Sequence, residues 1–298
     1  MYEPDVVYEV TARTIQGRML LRPSPAFNRL VAGVIGRAQA LYPSVMLYGV
    51  FVLSNHITWL VSSARPADIS AFFAHVQGNL SRVVGREHDW SGPLWERRVR
   101  AIPIVDVASL IDRFRYLLAQ GTKEGLVLSP LLWPGVSCVR ALLGLEPLRG
   151  LWHDFEAFTR ALRRGKDVSL RDFAIEYTVR FAKLPCWADL SDEAYAARVA
   201  ELVAEIEKAA AAERQGRPVL GAEAVLATDP HTRPEDLARS PAPLCHASTK
   251  SAQRQYRDRY RRFVASFRAA AECLRRGLEA VFPPYSFPPP RPFVVSTA

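Results

Sequence analysis

Two β-rich apolar runs, Val45 to Leu53 and His56 to Ser62, are separated only by Ser54-Asn55. So short a spacer between two strands leaves a hairpin as the natural outcome. The flanking segments extend the pattern. Asp5 to Thr14 alternates as a first strand. After Pro23-Ser24-Pro25, the residues Phe27, Leu30, Val31, Val34, Ile35, Ala38 and Leu41 recur at helix spacing. Beyond the hairpin, Pro66 opens a second helical period through Ile69, Phe72, Phe73, Val76, Leu80 and Val83. Gly92 to Ile104 reads as a fourth strand, and Asp106 as the N-cap of a further helix. The order is strand-helix-strand-strand-helix-strand.

That order is the split βαβ arrangement of ferredoxin-like domains. The fold class expected is therefore α+β. A ferredoxin-like unit with an added helix would occupy residues 1–130, and a mostly α-helical, basic extension with a Pro-rich tail residues 131–298. An apolar fraction of 49% with 23% charged residues describes a folded chain. No run approaches the roughly 18 apolar residues of a spanning helix, so no membrane partner is expected. The acidic start, Met1-Tyr2-Glu3-Pro4-Asp5, carries no charged-then-apolar leader, which points to the cytoplasm. Cys138, Cys186, Cys245 and Cys273 share no short spacing and read as reduced thiols; with His246 they make no zinc pattern. A net charge of +9 and a pI near 9.6 favour a polyanionic partner.

Two pairs of residues carry chemistry. His56 and Thr58 alternate on one strand and share a face. Tyr116 and Gln120, four apart on one helix, also share a face. On that helix Val107, Leu110, Ile111, Phe114, Leu117 and Leu118 form an apolar stripe, and Tyr116 and Gln120 fall nearly opposite its centre. A core tyrosine fits poorly there; a functional tyrosine and a solvated surface tyrosine both remain open.

A strand His56-x-Thr58 pair with a Tyr-x-x-x-Gln helix resembles the HUH-type single-tyrosine transposases, whose strand carries His-x-His, and within them the REP-associated tyrosine transposases. Val52-Leu53-Ser54-Asn55-His56 is similar to that family's hydrophobic-Pro-Asn-His run. Leu94-Trp95-Glu96-Arg97-Arg98 is similar to its Trp-containing fourth strand. Tyr116 to Val127 is similar to its tyrosine helix and Gly-Leu-Val exit, with Gln120-Gly121 where Asn-Pro is common. The resemblance covers residues 5 to about 130. It implies a tyrosine nucleophile at Tyr116 and a 5′-phosphotyrosine intermediate. It also implies Mg²⁺ or Mn²⁺ held at His56, Thr58 and Gln120, single-stranded or hairpin DNA as partner, and a monomer or homodimer. The family has a second histidine where this chain has Thr58. Three outcomes follow from that threonine: an Mg²⁺ site completed by water, a weakened nuclease, or a hairpin binder that no longer cuts.

Arg97, Arg98 and Arg100 beside the fourth strand are candidates for tracking a phosphate backbone. His75 and His88 read as surface or capping residues. In the second half, Trp152 to Arg164, Leu170 to Lys183, Ser191 to Arg214 and Ser251 to Glu279 read as helices. Gln215 to Pro243 reads as an irregular connection and Phe282 to Pro292 as an extended tail. The last helix carries Arg254, Arg257 and Arg261 among further arginines, with Tyr256, Tyr260, Phe263 and Phe267 at buried-stripe spacing. It is read as packing by its aromatics and presenting arginine to DNA. A rival reading is RNA binding on the sheet through Trp59 and Tyr48, although no Lys/Arg-Gly-Phe signature is present.

Overall fold

The computed structural model describes residues 3–234 and 241–290. Arg291 and Pro292 of the expected tail, residues 235–240 of the irregular connection, and Met1-Tyr2 of the acidic start lie outside the described residues. The fold is α+β. Its first part runs β1 (Tyr8–Arg13), α1 (Pro25–Leu41), β2 (Val45–Leu53), β3 (His56–Ser63), α2 (Pro66–Glu87), β4 (Arg100–Pro103) and α3 (Val107–Lys123). The four strands form one antiparallel sheet in the order β2-β3-β1-β4, which is the split βαβ topology.

Local chemistry sets the boundaries. Ser54-Asn55 closes the β2–β3 hairpin so that Leu53 faces His56. Ser24 Oγ accepts from Phe27 N at the start of α1, with Pro25 in the first turn, and Asp106 Oδ1 accepts from Ser109 N at 2.8 Å at the start of α3. The expected fourth strand is shorter than Gly92 to Ile104. Trp95 only touches β1 through an isolated bridge to Thr14, and the chain bends before Arg100 resumes the ladder.

Strand alternation gives the sheet two faces. Trp59 lies on the face under α2, where its ring sits 5.0 Å from that of Phe73. His56, Thr58 and Leu60 lie on the other, beneath α3. Opposite Leu60, Gly49 lets α3 settle: a Cβ there would come within 3.2 Å of Leu117 Cδ2.

The rest of the chain wraps this unit. It comprises α4 (Val139–Leu142), β5 (Leu148–His153), α5 (Phe155–Arg163), β6 (Ala174–Val179), α6 (Asp192–Arg214), α7 (Ala222–Ala227) and α8 (Lys250–Arg275). Ser191 caps α6, which packs against α3, and Tyr195, Val199, Leu202, Val203 and Ile206 join the same hydrophobic core as the sheet. Two expected helices are corrected. Trp152 and His153 end a strand, so the helix begins at Phe155. Leu170–Phe173 is one 3₁₀ turn leading into β6, not the opening of a helix to Lys183. The antiparallel β5–β6 pair lies on α1, where Gly33 and Gly36 expose the helix backbone: a Cβ on Gly33 would stand 2.0 Å from the Leu151 carbonyl oxygen.

Ahead of α8, His246 extends the sheet edge: its backbone N–H donates to Pro103 O and its carbonyl accepts from Val105 N. On α8 the expected buried stripe is also corrected. Of these four only Tyr256 is buried; Tyr260, Phe263 and Phe267 are half-exposed, and the four rings stack in series at 6.3–6.5 Å. No helix among the described residues is long and apolar enough to cross a membrane.

Candidate active site at the tyrosine helix

His56 begins β3, one residue past the hairpin turn, and its Nδ1 lies 2.8 Å from Asn55 Oδ1. An amide oxygen only accepts, so Nδ1 carries the proton and Nε2 is left with a free lone pair. Burial, with a further contribution from the Arg13 guanidinium, pushes the His56 pKa down to about 4. At neutral pH the ring is uncharged, the state a metal or a proton needs in order to bind it. Arg13 is directly across the ladder on β1.

Two residues along the same face, Thr58 is buried at 2% exposure. Its Oγ1 accepts a 2.8 Å hydrogen bond from Gln120 Nε2. Gln120 is itself only 3% exposed, which corrects its expected place opposite the apolar stripe: it lies on the side of α3 that faces Thr58 on the sheet. The other end of that amide, Gln120 Oε1, is buried without a hydrogen-bond partner. An orphaned buried acceptor is costly and marks a place where a donor or cation would be stabilising.

Tyr116 is half-buried one turn before Gln120. The Arg113 guanidinium and Lys123 Nζ each lie 4.7 Å from its ring centroid. Cations against an aromatic ring stabilise it electrostatically and fix its position. His56, Tyr116 and Gln120 line one cavity of about 390 Å³, together with Arg13, Lys123 and Glu124. On its other side Tyr116 borders a smaller groove between α3 and α6, walled by Glu205 and Glu213.

Histidine, tyrosine and glutamine thus converge as their strand and helix positions suggested, and Thr58 touches the group through Gln120. Arg13, Arg113, Lys123 and Asn55 were missed as members of the site. Arg113 and Lys123 are three before and seven after Tyr116, a same-face spacing readable from sequence; Arg13 enters only through strand register. The proposed DNA-contacting arginines lie elsewhere. Arg97 and Arg98 are exposed in the bend before β4, off the strand itself. Arg100 is on β4, with one guanidinium nitrogen donating to Ala242 O at 3.2 Å. Arg254, Arg257 and Arg261 are exposed on α8, outside the cavity. His75 lines a separate cleft, and His88 is buried with its ring 5.2 Å from that of Phe27. Trp59 and Tyr48 are buried, so neither offers the exposed stacking face that the RNA reading needs. No group of three or more His, Cys, Asp or Glu suited to a metal occurs among the described residues.

No family model and no curated protein matches this sequence. Among solved structures, the chain is similar to a REP-associated tyrosine transposase bound to a REP hairpin, at 16% identity and a TM-score of 0.42, over 50% of this chain and 86% of that one. It is also similar to a Deinococcus radiodurans R1 protein assigned as a transposase, at 15% identity and a TM-score of 0.30, over 39% of this chain and 90% of that one. Each likeness extends over half of this chain or less.

Proposed function

We propose that this protein binds single-stranded or hairpin DNA and nicks and rejoins it through Tyr116. The observation that carries the reading is the convergence of Tyr116, His56 and Gln120 on one cavity with Arg13 and Lys123 beside them. In this reading Tyr116 Oη attacks the scissile phosphorus and releases its proton to water. The bond from phosphorus to the 3′-oxygen breaks, the 3′-oxygen takes up a proton, and the 5′ end remains as a phosphotyrosine ester. Arg113 and Lys123 pack against the Tyr116 ring and hold it at the cavity. Arg13 and Lys123 hold the phosphate by charge. In the reverse step a free 3′-hydroxyl displaces Tyr116 and rejoins the strand.

The donors present suit a divalent cation of oxygen preference, Mg²⁺ or Mn²⁺. His56 Nε2 is free and uncharged, and Gln120 Oε1 is buried and unpartnered. When bound, such an ion would supply charge stabilisation at the phosphate. Thr58 completes the trio only as the partner of Gln120. The unit at 1–130 would carry the chemistry, and 131–298 would add contacts to the DNA. A second reading, hairpin recognition without cutting, is favoured by the Thr58–Gln120 hydrogen bond, which ties up the hydroxyl at the family's second histidine position.

The test uses 5′- and 3′-labelled DNA hairpins from sequence flanking the gene, with Mn²⁺ or Mg²⁺. A covalent protein–DNA adduct formed by the wild type and lost in Tyr116→Phe is the expected result. Binding without an adduct, with cleavage appearing in Thr58→His, would establish the second reading. Absence of hairpin binding would overturn both.

A further inference from the structure

A second cavity is larger than the one at Tyr116. It lies on the opposite side of the sheet, a cleft of about 860 Å³ between α1, α2 and the β5–α5–β6 unit. That volume is in the range of small-molecule and cofactor sites. Five arginines line it: Arg37 from α1, Arg82 and Arg86 from α2, and Arg160 and Arg163 from α5. Glu87, Asp154 and Glu156 line it as well, yet none of the five arginines forms an ion pair with a carboxylate among the described residues. Asp154 is occupied as the cap of α5, accepting from Ala157 N at 2.8 Å. Arg37 donates to Tyr177 Oη, and Arg82 to Asn79 Oδ1, both neutral acceptors. Five guanidinium groups on one concavity outnumber its three carboxylates, and an incoming anion would relieve the remaining repulsion.

The cleft also has flat, apolar surface. The His75 and Trp152 rings sit 5.6 Å apart at its floor, and the Arg86 guanidinium lies 3.7 Å from the centroid of Phe155. Burial, helped by Arg37 and Arg82, lowers the His75 pKa and keeps that ring neutral. Its Nε2 is buried with no hydrogen-bond partner. A cleft that combines these aromatic rings with an excess of arginine suits a ligand that is part anion and part planar heteroaromatic. Phosphate alone would leave the rings and His75 unused.

We propose that this cleft binds a nucleotide unit, its phosphate on Arg82, Arg86, Arg160 and Arg163 and its base against Trp152 and His75. The unit is either a free mononucleotide or one residue of a single DNA strand passing behind the sheet. The site depends on no residue of the Tyr116 cavity, so it stands or falls separately from the proposed nicking activity.

Calorimetric titration of the full chain at low ionic strength would use three probes: adenosine 5′-monophosphate, a 5′-phosphorylated tetranucleotide, and inorganic phosphate. The wild type is expected to bind one or both nucleotide probes more tightly than phosphate. The double variant Arg160→Glu/Arg163→Glu should weaken that binding by about tenfold or more. Arg82→Glu, on a different element, should do the same and guards against local unfolding of α5. Tyr116→Phe and His56→Ala should leave it unchanged. Binding of the mononucleotide that the arginine variants weaken sustains the proposal with a free nucleotide as occupant; binding of the tetranucleotide alone, weakened by the arginine variants and not by Tyr116→Phe, sustains it with a strand. Equal affinity for inorganic phosphate, unchanged binding in both arginine variants, or no binding of any probe would overturn it.

Discussion

Thr58 and Gln120 bury a polar pair under α3, and each satisfies part of the other's hydrogen-bonding demand. Replacing Thr58 with Val preserves shape but leaves the Gln120 amide without its acceptor at 3% exposure. A buried amide stranded in this way costs about 1–3 kcal/mol, whereas removing both partners is far milder. Thr58→Val should therefore lower the urea midpoint, and Thr58→Val/Gln120→Leu should recover much of the loss. An unchanged midpoint in the single variant would show that the bond does not tie α3 to the sheet. The residue scale also shows where sequence reading reached its limit. The shared face of His56 and Thr58, and that of Tyr116 and Gln120, follow from periodicity alone. The burial of Gln120 does not, because it requires knowing that this side of α3 lies against the sheet face carrying Thr58. Arg13 was hidden for the same reason: it meets His56 by strand pairing across more than forty residues of chain, and one sequence carries no mark of register.

At the scale of elements, every helix with a long apolar period was legible: α1, α2, α3, α6 and α8 lie where their spacing puts them. The antiparallel pair β5–β6 was not. Its strands are short and largely half-exposed, so neither carries a continuous apolar signal. What holds it is close backbone approach to α1, for which the sequence clue is the pair Gly33 and Gly36, one helical turn apart. The missing side chain at Gly33 admits the Leu151 carbonyl, and at Gly36 the Tyr177 side chain, where a Cβ would stand 2.5 Å from Tyr177 Cβ. Gly33→Ala is expected to destabilise by about 1–3 kcal/mol through overpacking. Gly78→Ala on α2 is the contrast. Nothing lies within 4 Å of the Cβ it would gain, so helix propensity alone acts and stability should rise by about 0.5–1 kcal/mol. Thermal melts of the two variants should shift in opposite directions. A neutral Gly33→Ala would mean that α1 and β5 do not cross so closely.

At the scale of the whole molecule, the net charge of +9 is not spread as a uniform coat. Part converges on the cleft behind the sheet, part flanks Tyr116, and much of the rest is on α8. Within α8 the cations are not equivalent. Arg259 reaches Glu3 at 3.1 Å, and Arg275 and Arg276 share Glu272, so their charge is partly spent inside the fold. Arg254 and Arg257 have no ion pair among the described residues, and Arg261 has only a 3.5 Å approach to Asp258. These three follow one another at helical spacing on an exposed face, the arrangement that tracks a phosphate backbone. If α8 lies along a DNA stem, each neutralised phosphate releases counterions, and the slope of log affinity against log salt steepens by about 0.9 for every such phosphate on duplex. Arg254→Gln/Arg257→Gln/Arg261→Gln should then weaken hairpin binding at low salt and make that slope shallower by about 1 for each phosphate no longer neutralised. Adduct formation by complexes already bound should stay unchanged, because none of the three lines the Tyr116 cavity. An unaltered salt slope would instead make α8 a solvated cationic face and leave DNA recognition to the sheet unit and the two cavities on either side of it.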